Sequence, residues 1–185
     1  MNRNRTGEHE SRGRGIYPRA GVEGLSGLNE LHDFRVVDGE PDIRGWRVLD
    51  SDGGKVGEVH DLLVDTAAMK VRYMDVEVAK ALLADDEHRH ILIPIGMARL
   101  DDDNDEVRLS QLSQAQLLTL PAYRNETLDR ERERSLLGLF GTLGEASTAG
   151  SLAGELPAHD ATSPSNEDFY RHPYFSDDGL RRRKG

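Results

Sequence analysis

The stretch "KVRYMDVEV", residues 70–78, narrows what this chain can become more than any other. Met74, Val76 and Val78 alternate with Asp75 and Glu77, the two-residue period of a strand with one face buried and one face wet. Val71 and Tyr73 sit on the opposite parity, so the strand is expected to twist, to carry a bulge or to be buried on both faces at its start. Similar runs lie on either side. "WRVLD" (46–50) reads as a short strand, and "SDGGK" (51–55) as a turn with Asp52-Gly53 at the bend. "KVGEVHDLLVD" (55–65) reads as a longer strand, in which Gly57 marks a bulge or a close backbone approach. After the turn "TAAM" and the strand already quoted, "RHILIPI" (89–95) puts Ile91, Ile93 and Ile95 on one face. Pro94 has no N–H to give, so this strand is an edge there or ends there. "EVRL" (106–109) supplies the last strand. The expected core is Trp46, Val48, Val56, Val59, Leu62, Val64, Val76, Val78, Ile91 and Ile93.

The period then changes. Ser113-Gln114-Ala115-Gln116 fits a capping box, and Pro121 stops the helix that it starts. A second helix is expected within 124–140, with Asn125 as N-cap and Glu126 and Asp129 suited to the positive end of its dipole. Short strands at close spacing with one or two short helices predict a mainly β fold, a small antiparallel barrel with extended N- and C-terminal arms.

The flanks differ from this body. Hydrophobic residues are 36% of the whole, below the 45–50% or so of a globular chain, so part of it is expected to build no core. Residues 1–32 show no sustained period and read as an extended arm, and 33–123 as the barrel domain. In 141–165, 18 of 25 residues are Ala, Gly, Ser, Thr or Pro, the composition of a flexible linker. The end, 166–185, regains Phe169, Tyr170, Tyr174 and Phe175, four aromatics within seven residues. Disordered tails are aromatic-poor, so these four are candidates for a docking segment.

Several functions are excluded or disfavoured. Residues 33–123 hold 19 acids against 10 bases, and a nucleic-acid partner would need clustered Lys and Arg. With no cysteine, disulfides, thiolate metal sites and cysteine nucleophiles are impossible. The basic start carries no apolar segment after it, so no secretory signal is expected. The longest run without a charge or strongly polar residue, Ile91–Ala98, is far short of the roughly 20 residues of a membrane helix. Glycines at 21, 24 and 27 follow no strand and precede no Lys-Ser/Thr, and neither G-x-S-x-G nor H-E-x-x-H occurs. The chain is therefore expected not to be an enzyme.

Two clusters remain. His88 and His90 are two apart and point to one side of a strand. Zn²⁺ would need further ligands, and Asp85, Asp86 and Glu87 are adjacent in sequence and poorly placed to converge, so no metal site is expected there. Histidine titrates near ~6.5 and acids raise its proton affinity, so the five residues could collect protons at the surface, or form only a solvated loop. Asp101, Asp103 and Asp105 imitate half a calcium loop, but Glu106 stands where glycine is needed and Leu112 where a bidentate Glu is needed. Asp50-x-Asp52 fails in the same way. Both read as hairpin turns. "RRRK" at 181–184 could meet anionic lipid, at ~1 kcal/mol per base, or be a solubilising end.

Asp42 to Trp46 (D-I-R-G-W), Asp61 to Asp65 (D-L-L-V-D), Arg72 to Val78 (R-Y-M-D-V-E-V), His90 to Gly96 (H-I-L-I-P-I-G) and "LPAY" at 120–123 together resemble the PRC-barrel family. Within it they are most similar to the cytoplasmic domain of the photosynthetic reaction centre H subunits. The resemblance covers about residues 33–123. It implies a non-catalytic cap on the cytoplasmic face of membrane-embedded core subunits, which shields the quinone sites from water and offers proton routes. It also implies no directly bound cofactor, since quinone and pigments belong to the partners. H subunits begin with a membrane helix. None is visible here, so a separate transmembrane anchor and a peripheral cytoplasmic location are expected. Carried over by position, Asp65, Arg72, Asp75 and Glu77 match charged positions facing the core. One position departs. Many H subunits have a carboxylate in the turn that is Thr66-Ala67-Ala68-Met69 here, which puts direct proton delivery by that route in doubt. The family also holds stand-alone soluble proteins, some with a Tyr/Phe-rich end. A free adaptor or stress-related barrel is therefore the alternative.

Overall fold

The computed structural model describes residues 25–32, 36, 40–84, 88–124, 128–146 and 166–176. Most of the expectations for the N-terminal arm, for Asp85, Asp86 and Glu87, for the Asn125 cap, for the greater part of 141–165 and for "RRRK" lie outside these residues.

Seven strands form one sheet: β1 (Leu25–Gly27), β2 (Arg47–Leu49), β3 (Lys55–Asp65), β4 (Lys70–Val78), β5 (His90–Pro94), β6 (Arg99–Asp101) and β7 (Glu106–Arg108). Their order is β5-β4-β3-β2-β7-β6, with β1 also on β3. The fold is mainly β, as the alternation predicts. Two details differ from an antiparallel barrel. β2 and β7 run parallel, and no ladder joins β5 to β6 among the described residues, so the sheet stays open. Pro94 and the 3₁₀ turn Ile95–Met97 account for the gap: they end β5 and turn the chain before it re-enters as β6.

The long hairpin β3–β4 organises the rest. Its register slips twice, between Val59 and Asp61 and between Leu63 and Val64. The residues left over are His60 on β3 and Arg72 on β4. Bulges re-aim side chains, and both of these are ionisable. Tyr73 and Met74 are both fully buried with no slip between them, so of the expected explanations for the parity conflict it is burial on both faces that holds there. Gly57 is the close approach its position suggests: a Cβ there would lie 2.0 Å from the Glu77 carbonyl oxygen. At the β2–β3 turn Gly53 takes φ +83°. The Asp50 carboxylate accepts from Asp52 and Gly54 N–H within the turn and from Gln114 N–H across the molecule. That bond ties the hairpin to α1 (Gln114–Leu117), whose Ser113/Gln116 capping box is present. The acidic stretch 102–105 is the β6–β7 turn, with Asn104 bonded to Asp101 and Asp105 at φ 52°.

All the expected core residues are buried except Trp46, which precedes the first paired residue of β2 and packs only against the core's rim. The second helix also departs from expectation. α2 spans Arg130–Ala146 rather than 124–140, and so takes up the start of the segment read as a flexible linker. Asp129 accepts from Arg132 N–H at its start. Leu136, Leu137 and Phe140 are buried beneath it, and Gln116 donates to the Leu143 carbonyl near its end. That burial outweighs the low helix propensity of Gly138 and Gly141. After α3 (Asn166–Phe169) the chain ends its described part in a 3₁₀ turn, Pro173–Phe175.

Candidate functional site

β4 carries the four charged residues expected to face a partner, or their pair mates, and the structure divides them. Asp65 and Arg72 form one buried pair, Nη2 to Oδ2 at 3.2 Å. The other Asp65 oxygen accepts from Ala67 and Ala68 N–H and so shapes the β3–β4 turn. Over Arg72 lies the tail. Its guanidinium carbon is 4.0 Å from the centroid of the Tyr170 ring, a cation–π contact out of water. Tyr170 donates to buried Glu133 of α2 at 2.7 Å, and Arg130 holds the second Glu133 oxygen at 2.8 Å while stacking on Phe169. Burial pushes the Glu133 carboxyl up despite these partners, and burial likewise raises the Tyr73 and Tyr170 hydroxyls.

Phe169, Tyr170, Tyr174 and Phe175 are therefore all buried on this chain's own sheet and helix. Phe175 meets Tyr73 edge-on at 5.4 Å, and Tyr174 lies 6.2 Å from Phe140. Gly96 makes the approach possible, because a Cβ there would come within 2.4 Å of the Pro173 carbonyl oxygen. The aromatic tail docks, but within the molecule.

Asp75 and Glu77 lie further along β4 and face a different environment. His90 Nδ1 is 2.8 Å from Asp75 Oδ1, and His88 Nδ1 is 2.5 Å from Glu77 Oε1. Each histidine reaches a diagonal neighbour, since Glu77 is the residue directly opposite His90. Burial raises the Asp75 carboxyl, with His90 pulling the other way, whereas the His88 hydrogen bond lowers that of exposed Glu77. A third imidazole joins them. The His60 bulge on β3 brings its ring to 4.8 Å from that of His90, edge to face. His60, Asp75 and His90 each offer a ligand atom, all within 4.8 Å of one another. Asp61, buried beside them, accepts from Asn29 and Leu62 N–H.

The sequence pointed to His88, His90, Asp75 and Glu77 but not to their pairing, and it missed His60. The pairing needs the β4–β5 register, and the place of His60 needs a bulge. Glu133 and Arg130 stand among the many charges of α2 with no local mark of burial. Their buried role depends on the tail's return path, which no local pattern encodes.

Residues 35–115 match the family model described as "PRC-barrel domain". The matched stretch, which contains β2–β7 and both ionisable groups of β4, is similar to that domain. α2 and the aromatic tail lie beyond the matched residues and are built onto it.

Proposed function

We propose that this chain is a non-catalytic H-type subunit that caps the quinone side of a photosynthetic reaction centre, peripheral on the cytoplasmic face of the membrane. None of the helices among the described residues is long and apolar enough to cross a membrane. A cap of this kind would rely on membrane-embedded partners, and on a separate anchor, to reach the bilayer. The observation that carries the reading is the row His60–Asp75–His90 and Glu77–His88 across three strands. Imidazole is the side chain whose ordinary range of proton exchange spans neutral pH. Such a row suits a layer that gathers protons for a quinone held by other subunits, and it needs no cofactor of its own. The resemblance over about residues 33–123 and the net charge of −10 fit a cap that handles protons rather than nucleic acid.

Reconstitution with a reaction-centre core stripped of its cytoplasmic cap tests this, with flash kinetics of the second electron transfer to quinone as readout. Faster or more stable second-electron transfer with this chain bound is expected. Unchanged kinetics together with no detectable binding would defeat the reading. One observation favours a second reading, a stand-alone PRC-barrel protein: the four tail aromatics are already buried on the chain itself, so it needs no partner to cover that face. Pull-down from membranes of the source cells separates the two, since only the first reading brings pigment absorbance into the eluate.

A further inference from the structure

We propose that His60, Asp75 and His90 form a binding site for one divalent transition-metal ion of the Zn²⁺ class, on the open face of the sheet. The inference is independent of the reaction-centre reading, and its test needs no partner.

Three neighbouring strands each supply one ligand: β3 gives His60, β4 gives Asp75 and β5 gives His90. Ligands on separate strands are fixed by the hydrogen-bonded ladder, unlike ligands adjacent in one loop. The ligand atoms lie within 4.8 Å of one another, and His90 Nδ1 and Asp75 Oδ1 are 2.8 Å apart. Bonds of about 2.0–2.1 Å from a tetrahedral Zn²⁺ require its ligands to stand roughly 3.4 Å apart. The Asp75–His90 pair must therefore open slightly and His60 must close inward. His60 is exposed and sits at a bulge, so a rotation of its side chain supplies the movement without shifting the core.

The chemistry of the set selects the ion. Two imidazoles and one carboxylate suit Zn²⁺, Ni²⁺ or Cu²⁺ and are a poor match for Mg²⁺ or Ca²⁺, which take oxygen ligands. Three protein ligands on a wet face leave the fourth position to water. The surroundings favour a cation. Buried Asp61 stands beside the site and Glu77 two residues along β4, so carboxylates flank the three ligands. A metal bound by Asp75 and by His90 through Nδ1 takes the place of the hydrogen bond between them, and the neutral imidazole then carries its one proton on Nε2.

The test is calorimetric titration of the full chain with ZnCl₂, together with the visible spectrum of the Co²⁺ form. One ion per chain is expected, with absorption bands of a four- or five-coordinate Co²⁺ centre. His60→Ala should weaken binding by at least about tenfold. Because His60 is exposed, that variant keeps its fold, as an unchanged melt of the metal-free protein would verify. His32→Ala removes an exposed histidine that belongs to neither β4 group and should leave affinity within about twofold, since loss of a non-ligand at the surface costs little. Equal weakening by both variants would show a diffuse histidine surface and overturn the site. Binding indifferent to His60→Ala, or no stoichiometric binding below about 0.1 mM (a Kd worth roughly 5.5 kcal/mol), would also overturn it.

Discussion

Two carboxylate–cation pairs stand on the same strand hairpin and meet opposite fates. Asp65–Arg72 lies at the turn end of β3–β4 under Tyr170, with both side chains nearly inaccessible. Asp75–His90 lies a few residues along β4, away from the tail, and its histidine stays partly open to water. The first pair is a structural fixture, because a buried ion pair is held only while all its partners are present. The second can exchange protons or a metal ion, because one partner is still reached by solvent. Charge on this strand therefore does not announce function by itself. What separates the two ends is the tail, which lies outside the matched family domain and covers one of them.

The comparison breaks most completely if the hairpin itself is broken. Gly57→Ala places a methyl 2.0 Å from the Glu77 carbonyl oxygen, a backbone atom that cannot swing aside. Both pairs depend on the β3–β4 ladder, so both should fail together. A loss of about 3 kcal/mol or more is expected in urea unfolding, at the upper end for overpacking. A variant that melts with the parent would mean that Gly57 is not pressed against β4.

Gly96→Ala should separate the two regions instead. The added methyl meets the Pro173 carbonyl at 2.4 Å, so the tail must lift from the turn Ile95–Met97. Amide exchange in 169–176 should rise by orders of magnitude, while β3 and β4 near Asp75 stay protected. The net cost is expected at about 1–3 kcal/mol, since the lost aromatic burial is offset in part by the freedom the tail regains. Deprotection spreading through Asp75 and His90 would show that the open pair depends on the lid after all.

A finer cut leaves the tail in place. Tyr170→Phe keeps the ring over Arg72 but removes the hydroxyl that donates to Glu133. A buried carboxylate short of one donor costs about 1–3 kcal/mol. The change should appear in chemical denaturation and leave the His60, Asp75 and His90 region unmoved in NMR spectra.

How legible was this difference beforehand? The strands were legible, because alternation at Met74, Val76 and Val78 and the turn chemistry at Asp52-Gly53 are local signals. The capping box at Ser113 is equally local. The two pairs were not legible. Asp65, Arg72, Asp75 and Glu77 share a family resemblance, yet nothing in their spacing says which pair will be covered. That depends on an aromatic segment about a hundred residues later and on Gly96, whose purpose is visible only once Pro173 lies against it. His60 was hidden for another reason. A single slipped residue changes which side chains meet across strands, and this bulge carries no sequence mark, since His60 stands between Val59 and Asp61. The length of α2 was misjudged because propensity disfavours its glycines and only the packing of Leu137 and Phe140 decides it.

The smallest effect is expected at the open pair, and its sign is the informative part. Burial raises the Asp75 carboxyl above its ordinary value, so the folded state holds that proton more tightly than the unfolded chain. The stability it contributes is fully present below the unfolded value and is lost as pH rises through the raised folded value. Glu77 runs the other way: His88 lowers it, so its contribution is present above the ordinary glutamate range and is lost as pH falls through the depressed value. Asp75→Asn removes only the first of these. It keeps an oxygen for His90 to meet and abolishes the titration. Compared with the parent, the variant should therefore gain stability as pH is raised from about 4 toward 7, where Asp75 would otherwise ionise. Urea unfolding of the two proteins at several pH values in that interval measures the difference directly. A difference that stays flat would mean that the Asp75 carboxylate is as well solvated in the fold as in the unfolded chain. The contrast between a covered and an open pair would then rest on the Asp65–Arg72 end alone.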